Sequence, residues 1–204
     1  MASMIKKVAS GVAVFAALAS ITFASVAKIG EKAPDFTLTD INGKTHTLSD
    51  YEGKTVVLEW VNPECPFVVK HYSSGNIPGL QQSATGDGIV WLSINSGTPG
   101  AQGDFAPDRV KSWMGETGAA PSAYFRDQDG TVGHLYAAKT TPHMFVITPE
   151  GTLVYDGAID SIASANVRDL AKAQNYVVAA LAAVKNGTMP ERTQSQPYGC
   201  TVKY

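Results

Sequence analysis

Cysteine is scarce in this chain, with only Cys65 and Cys200 among 204 residues. So few exclude a small disulfide-stapled fold, which needs several bridges to replace a core. An excess of one charge is missing too. Sixteen Lys and Arg face 18 Asp and Glu, for a net charge of −2. Nothing therefore resembles the basic footprint of a nucleic-acid-binding protein. No internal repeat or low-complexity tract follows residue 27, which excludes a repeat architecture. The apolar run at residues 8–23 is short for a membrane span, which takes about 20 residues.

That run has the flanks of a secretory leader. Lys6 and Lys7 precede it, and small residues follow in "SVA" at 25–27, with "TFA" at 22–24 as a second cleavage motif. Cleavage after Ala27 is expected, with an uncleaved anchor as the alternative. No cysteine stands near the site to carry a lipid. The expected location is the periplasm or the exterior, with no membrane attachment after cleavage. Taking 27 residues from 204 leaves 177, enough for one domain with its own core. Losing two lysines moves the charge from −2 to −4. In an oxidising compartment two cysteines can persist as a disulfide. Chemistry is then a stronger reason than stapling to keep them.

Along the chain, "APDFTLTDINGKTHTLSDYEGK" at 33–54 predicts a hairpin, with Asn42-Gly43 as its turn signal. "TVVLEW" at 55–60 and "GIVWLSIN" at 88–95 predict strands buried on both faces. A helix is expected from Pro66 to Ser73, interrupted by "SSGNIPG" and continued by "LQQSA". A Gly/Pro-rich loop at 96–107 precedes a helix over 108–116, a short strand "SAYFRD" and a helical turn within 131–138. "HMFVITPEGTLVYDG" at 143–157 predicts a second hairpin. Residues 166–187 carry the longest helical pattern, stopped by Gly187. The segment 188–204, with Pro190 and Pro197, is expected to be irregular. This order of elements predicts an α/β domain: a central mixed β-sheet flanked by helices, with an N-terminal β-hairpin.

Three segments resemble the thioredoxin-like superfamily, in particular its peroxiredoxin and redoxin branch. They are "IGEKAPDFTLTDINGKTHTLSDYEGKTVVLEW", "NPECPFVVKHY" and "TTPHMFVITPEGTLVYDGAID". The tail "YGCTVKY" is similar to that of one exported peroxiredoxin-like group. The likeness implies a thioredoxin-like fold over 28–187, with 188–204 as a tail carrying Cys200. It also implies a cis Thr141–Pro142 bond facing Cys65, where the Thr141 backbone could hydrogen-bond an extended substrate segment.

Cys65 is the candidate nucleophile. Pro66 suits the first position of a helix, which sets Cys65 at the helix N-terminus. There free N–H groups and the helix dipole favour a thiolate. Lys70 and His71 add positive charge further along, and Glu64 opposes it. The alternative is an inert buried thiol or half of a structural disulfide. Glu59 is the only charge in "TVVLEW". A carboxylate in a central strand needs a partner or a task. Thioredoxins often carry a buried acid there that assists proton transfer, which a raised pKa would suit. A salt-bridged or edge-facing residue is the alternative. His143 is either a base or ligand near the thiol or a polar packing residue. Val68 occupies the position of a second CxxC cysteine, so a local disulfide is impossible. Cys200 is then the candidate resolving thiol, within one chain or between two, or else a static tail staple.

The likeness to peroxiredoxins fails at two positions. Threonine and proline are usual three and seven residues before the peroxidatic cysteine, and Asn62 and Leu58 stand there. Asn62 can still donate a hydrogen bond, while Arg109 and Arg126 cannot be placed beside Cys65 from sequence. The expected function is an exported thiol-dependent oxidoreductase that reduces peroxide through Cys65. Thiol–disulfide exchange with protein partners is the main alternative. A copper-binding or disulfide-stapled binding domain is the other, since thiolate and imidazole suit copper. The expected partners are a protein or small-thiol reductant and a peroxide or protein disulfide. No cofactor and no metal are expected for the thiol chemistry.

Overall fold

A computed structural model describes residues 26–204. The leader expected at 1–27 lies almost entirely outside these described residues. Strands β1 (Thr37–Thr39) and β2 (Thr45–Thr47) form the expected N-terminal hairpin. Its loop is wider than a two-residue turn. The Asp40 carboxylate accepts from the Asn42 and Lys44 amides at 2.8 and 2.9 Å. Gly43 takes the left-handed backbone this loop requires (φ 83°).

The β-branched run becomes β3 (Val56–Trp60), buried throughout. The chain then turns into α1 (Pro66–Ser73) and α2 (Asn76–Gly86). The second helix starts earlier than "LQQSA" suggests. Pro78 falls in its first turn, where an amide has no helical partner anyway. β4 (Val90–Asn95), α3 (Pro107–Thr117), β5 (Ala123–Arg126) and α4 (Thr131–Leu135) follow in the expected order. A two-residue strand, β6 (Thr140–Thr141), precedes the hairpin of β7 (His143–Ile147) and β8 (Leu153–Gly157).

The helix expected over 166–187 is broken. A 3₁₀ turn at Val167–Lys172 is followed by α5 (Tyr176–Lys185). Residues between them are drawn into extended pairing, with the Ser161 amide donating to the Gln174 carbonyl at 3.0 Å and the Tyr176 amide to the Ile159 carbonyl at 2.9 Å. Asn175 then caps α5 by accepting from the Val178 amide at 3.0 Å. Gly187 (φ 67°) closes α5, as expected.

The central sheet has the order β5-β4-β3-β7-β8. β3, β4 and β5 are parallel, and β7 is antiparallel to both β3 and β8. Because side chains alternate along a strand, β3 serves two cores. Val57 joins Val68, Tyr72, Trp91 and Val177 beneath α1, α2 and α5. Leu58 and Trp60 join Leu92, Tyr136 and Phe145 on the other face, closed by Phe36 and Leu48 around the hairpin.

The tail is irregular over most of its length, as expected, but it is docked on the domain and ends in a short strand. β9 (Cys200–Thr201) pairs antiparallel with β6. Upstream, the Ser195 amide donates to the Asp156 carbonyl at 3.1 Å. Downstream, the Val202 amide donates to the Lys139 carbonyl at 3.1 Å. Gly157 leaves room for this path, since a Cβ there would stand 2.3 Å from Ser195 Oγ.

Candidate active site

The end of β3 and the start of α1 present Cys65. A turn closed by the Cys65 amide on the Asn62 carbonyl (3.0 Å) lifts it onto the helix. Extended backbone at Cys65 and Pro66 at the first helical position make the cysteine the N-cap residue. Its side chain is fully buried. The thiol donates to the Thr141 carbonyl at 3.1 Å, and the Cys200 amide donates to the sulfur at 3.4 Å. Thr141 and Cys200 are direct partners in the β6–β9 pair, and the Thr141–Pro142 bond is cis. Two thiols separated by 135 residues of chain thus meet in one protein, both free.

Their electrostatics differ. Burial is the largest influence on Cys65 and opposes ionisation. Hydrogen bonding from the Cys200 thiol, the Val68 amide, the Thr141 hydroxyl and the Cys200 amide outweighs it, so the Cys65 pKa lies below the ordinary thiol value. Cys200 is pushed up to about 11 by burial, by the hydrogen bond it gives Cys65 and by charge on Cys65. When the pair loses a proton, the thiolate therefore forms on Cys65 and the remaining proton stays on Cys200. A thiolate is the form that attacks a disulfide.

The remaining expected residues divide. Thr141 stands against Cys65 through its carbonyl, and Pro142 follows it across the cis bond. Asn62 adjoins it, but its amide is occupied: Nδ2 donates to the Gln102 carbonyl at 3.0 Å, and Oδ1 accepts from the Glu64 amide at 2.9 Å. Glu64 in turn accepts from the Gly103 amide at 2.7 Å. Both side chains pin the 97–105 loop. A Cβ on Gly103 would overlap Asn62 Oδ1 at 2.0 Å. Arg109 pairs with Glu116 and Arg126 with Asp104. A cavity bounded by Val61, Asn62, Ser96, Thr141 and Val202 holds about 10 Å³, room for about one water.

Glu59 lies on the same face of the sheet as Cys65, fully buried and with no ion pair among the described residues. It accepts from Tyr72 Oη (2.8 Å), Trp91 Nε1 (2.7 Å), Ser93 Oγ (3.0 Å) and Gln81 Nε2 (3.1 Å). Burial raises its pKa against these four donors. His143 turns to the opposite face, packing on Phe145 at 4.5 Å between ring centroids. Its Nδ1 accepts from the Lys139 amide at 3.2 Å, so Nε2 carries the proton toward Asp156 at 2.7 Å. Of the two readings of His143 the structure thus has the polar packing residue, and the group beside the thiol is the Cys200 strand.

Sequence reading missed a second cluster beside the thiols. Tyr198 donates to Asp160 Oδ1 at 2.6 Å and lies 3.2 Å from His71 Nε2. Asn76 Nδ2 approaches His71 Nδ1 at 2.7 Å, which leaves Nε2 as the protonated nitrogen. Burial, with Lys70 nearby, lowers the His71 pKa to about 4. Lys70 is buried 3.7 Å from Asp160 Oδ2 and 5.7 Å from the Tyr198 ring centroid. Lys70 and His71 therefore turn toward the tail anchor. Only the short "YGC" spacing hinted at it. Nothing in the sequence ties Asp160 to α1.

A thioredoxin-like sheet that carries a cysteine at a strand-to-helix junction, facing a cis proline, defines the redoxin class of thiol–disulfide oxidoreductase-like proteins. The model of the AhpC/TSA family matches residues 29–156, and the chain belongs to that family. It is similar to the thiol-disulfide oxidoreductase ResA of Geobacillus kaustophilus, with 30% identity over 124 residues, covering 55% of this chain and 71% of that protein. Among solved structures, a hypothetical protein of Sinorhizobium meliloti 1021 matches with a TM-score of 0.71 and 27% identity, over 87% of this chain and 94% of that one. A thioredoxin-like protein of Aeropyrum pernix shares the fold at a TM-score of 0.51 and 17% identity, over 68% of this chain and 86% of that one.

Proposed function

We propose that the protein is an exported thiol–disulfide oxidoreductase that exchanges disulfides with partner proteins through Cys65, with Cys200 of the same chain as resolving thiol. The contact between the Cys200 amide and the Cys65 sulfur carries this reading. The Cys65 thiolate attacks a substrate disulfide, forms a mixed disulfide and expels one substrate thiolate. That sulfur has then lost the charge that helps hold the Cys200 proton. Cys200 gives its proton to the expelled substrate thiolate and attacks the Cys65 sulfur of the mixed disulfide. A Cys65–Cys200 disulfide forms and the second substrate thiolate leaves. Two electrons have passed to the substrate, and an external dithiol restores the pair by the reverse exchange. Thr141 and Pro142 position the sulfur. The four donors on Glu59 support a structural role for it rather than proton transfer. Export, read from residues 1–27, belongs to the same proposal.

Peroxide reduction is the second reading, favoured by the family match over 29–156. The occupied side chain of Asn62 and the paired arginines weigh against it. Copper binding has less support. His143 is across the sheet, His71 is held by Asn76 and Tyr198, and no three His, Cys, Asp or Glu side chains gather as ligands among the described residues.

Reduced protein mixed in separate reactions with a peptide disulfide and with hydrogen peroxide separates the readings. Exchange predicts two substrate thiols released per chain oxidised, and peroxide oxidation no faster than that of a free thiol. Rapid peroxide consumption with slow disulfide reduction would reverse the assignment.

A further inference from the structure

The tail supplies more than a second thiol, because it fills the edge beside Cys65. β6 and β9 form a two-stranded sheet of their own. An unfilled strand edge presents free amides and carbonyls and is a ready site for adding an extended peptide. Gly199 crosses directly over Thr141. A Cβ there would stand 2.0 Å from the Thr141 oxygen, and its φ of 132° is strained for any residue with a side chain. Cys200 follows with its amide on the Cys65 sulfur, and the Thr141 hydroxyl donates to its carbonyl at 3.4 Å. Beneath this strand Cys65 has no exposed surface, so an incoming disulfide has no line of attack while the tail is seated.

The fastening is concentrated at Tyr198. Its hydroxyl is shared between Asp160 and His71, and its ring meets Phe67 at 5.8 Å. Further on, the Thr98 amide donates to the Lys203 carbonyl at 2.8 Å, and the Tyr204 hydroxyl to the Ala138 carbonyl at 2.9 Å.

The geometry points to residues 199–201 as a tethered self-substrate, seated on a strand-addition surface at Thr140–Thr141. The true occupant is an extended partner segment in which a residue without a side chain precedes a cysteine. The partner displaces the strap, is captured by Cys65, and is released when the strap returns with Cys200. This inference rests on Cys65 being the nucleophile.

The test uses the full chain carrying Cys200→Ser, so that Cys65 is the sole thiol. The probe is a peptide of sequence QPYGCTVKY whose cysteine is activated as a 2-thiopyridyl disulfide. The Cys65 thiolate displaces pyridine-2-thiolate and forms a disulfide to the peptide, so the released chromophore reports the rate. Adding Tyr198→Phe removes two hydrogen bonds and keeps the ring. Adding Gly199→Ala blocks seating of the strap by overlap with Thr141.

Each addition is expected to raise the rate by about tenfold or more, the scale set by losing two such bonds. In the opened variants a peptide with valine in place of the glycine should lose most of that gain. Iodoacetamide labelling of Cys65 is the control. Labelling in every variant with unchanged peptide rates overturns the strap but leaves Cys65 as nucleophile. A gain that is equal for glycine and valine peptides keeps the strap and Cys65 as nucleophile but overturns the strand-addition surface. A Cys65 that stays unlabelled in the opened variants overturns both the strap and the exchange reading.

Discussion

Two polar groups are buried on the same face of the sheet, the Glu59 carboxylate and the Cys65 sulfur, and they are held in opposite ways. Glu59 is satisfied by four side chains from β4, α1 and α2. All four belong to the core, and none of its contacts comes from the tail. Cys65 is held from the far side by Thr141 and by a strand that arrives from the end of the chain. A carboxylate enclosed by the core is part of what holds the fold together. A thiol covered by a detachable strand is a group whose access can change. Stability therefore belongs to the first site and chemistry to the second, and substitutions should separate the two.

The largest effect is expected at the thiols. Cys65→Ser should reduce disulfide exchange to background, as loss of a nucleophile does. Cys200→Ser should keep the first step and accumulate mixed disulfides through Cys65, seen by mass spectrometry of acid-trapped reactions. Neither should move the unfolding midpoint as far as a change at Glu59. Glu59→Ala strands four buried donors and is expected to cost about 3 kcal/mol or more. In a domain of this size that lowers the melting temperature by roughly 6–12 °C, while exchange per folded molecule stays within about threefold, a shift of well under 1 kcal/mol. Exchange lost in proportion to ionisation of Glu59 would instead make it a proton relay.

The next effect is in pH, and the two sites have opposite signs. The folded pKa of Glu59 is raised, so its contribution is complete below the ordinary carboxylate value and is lost as pH rises through the folded value. The folded pKa of His71 is lowered to about 4. Its neutral form is favoured, so its contribution is complete above the ordinary histidine value of 6.5 and is lost as pH falls toward 4. That loss is about 3 kcal/mol at most. Denaturant titrations across this window should show the slope in the native chain and a flatter profile in His71→Gln. The smallest effect is expected at Asn175→Ala, which removes the cap of α5 for about 1 kcal/mol and should leave both sites untouched.

How much of this was legible follows from how local each feature is. The buried β-branched run, Pro66 at a helix start and the Asn42-Gly43 turn are short-range signals, and each appears where it was read. The cis bond before Pro142 came from resemblance and is present. The broken helix at 173–175 was hidden because Asn175 reads as a tolerable helix residue. Only pairing with residues 159–161 turns it into a cap. The docked tail was hidden for a similar reason. Two prolines and an exposed composition read as irregular, while its strand partner lies about 60 residues away at Thr140–Thr141. Glu64 looked like an unfavourable neighbour for a thiolate, yet its carboxylate is spent on the Gly103 amide. Tertiary partners decide each of these cases, and one-dimensional patterns do not carry them.

The central claim is that Cys65 and Cys200 of one chain form a reversible redox pair. Equilibrating the protein in glutathione buffers of stepped potential, trapping with acid and mapping peptides by mass spectrometry tests it most directly. The account predicts a single two-electron transition to an intrachain Cys65–Cys200 disulfide that is independent of protein concentration and reduces a peptide disulfide on return. A Cys65 linked only to a second chain, or no Cys65–Cys200 bond at any potential, would contradict it.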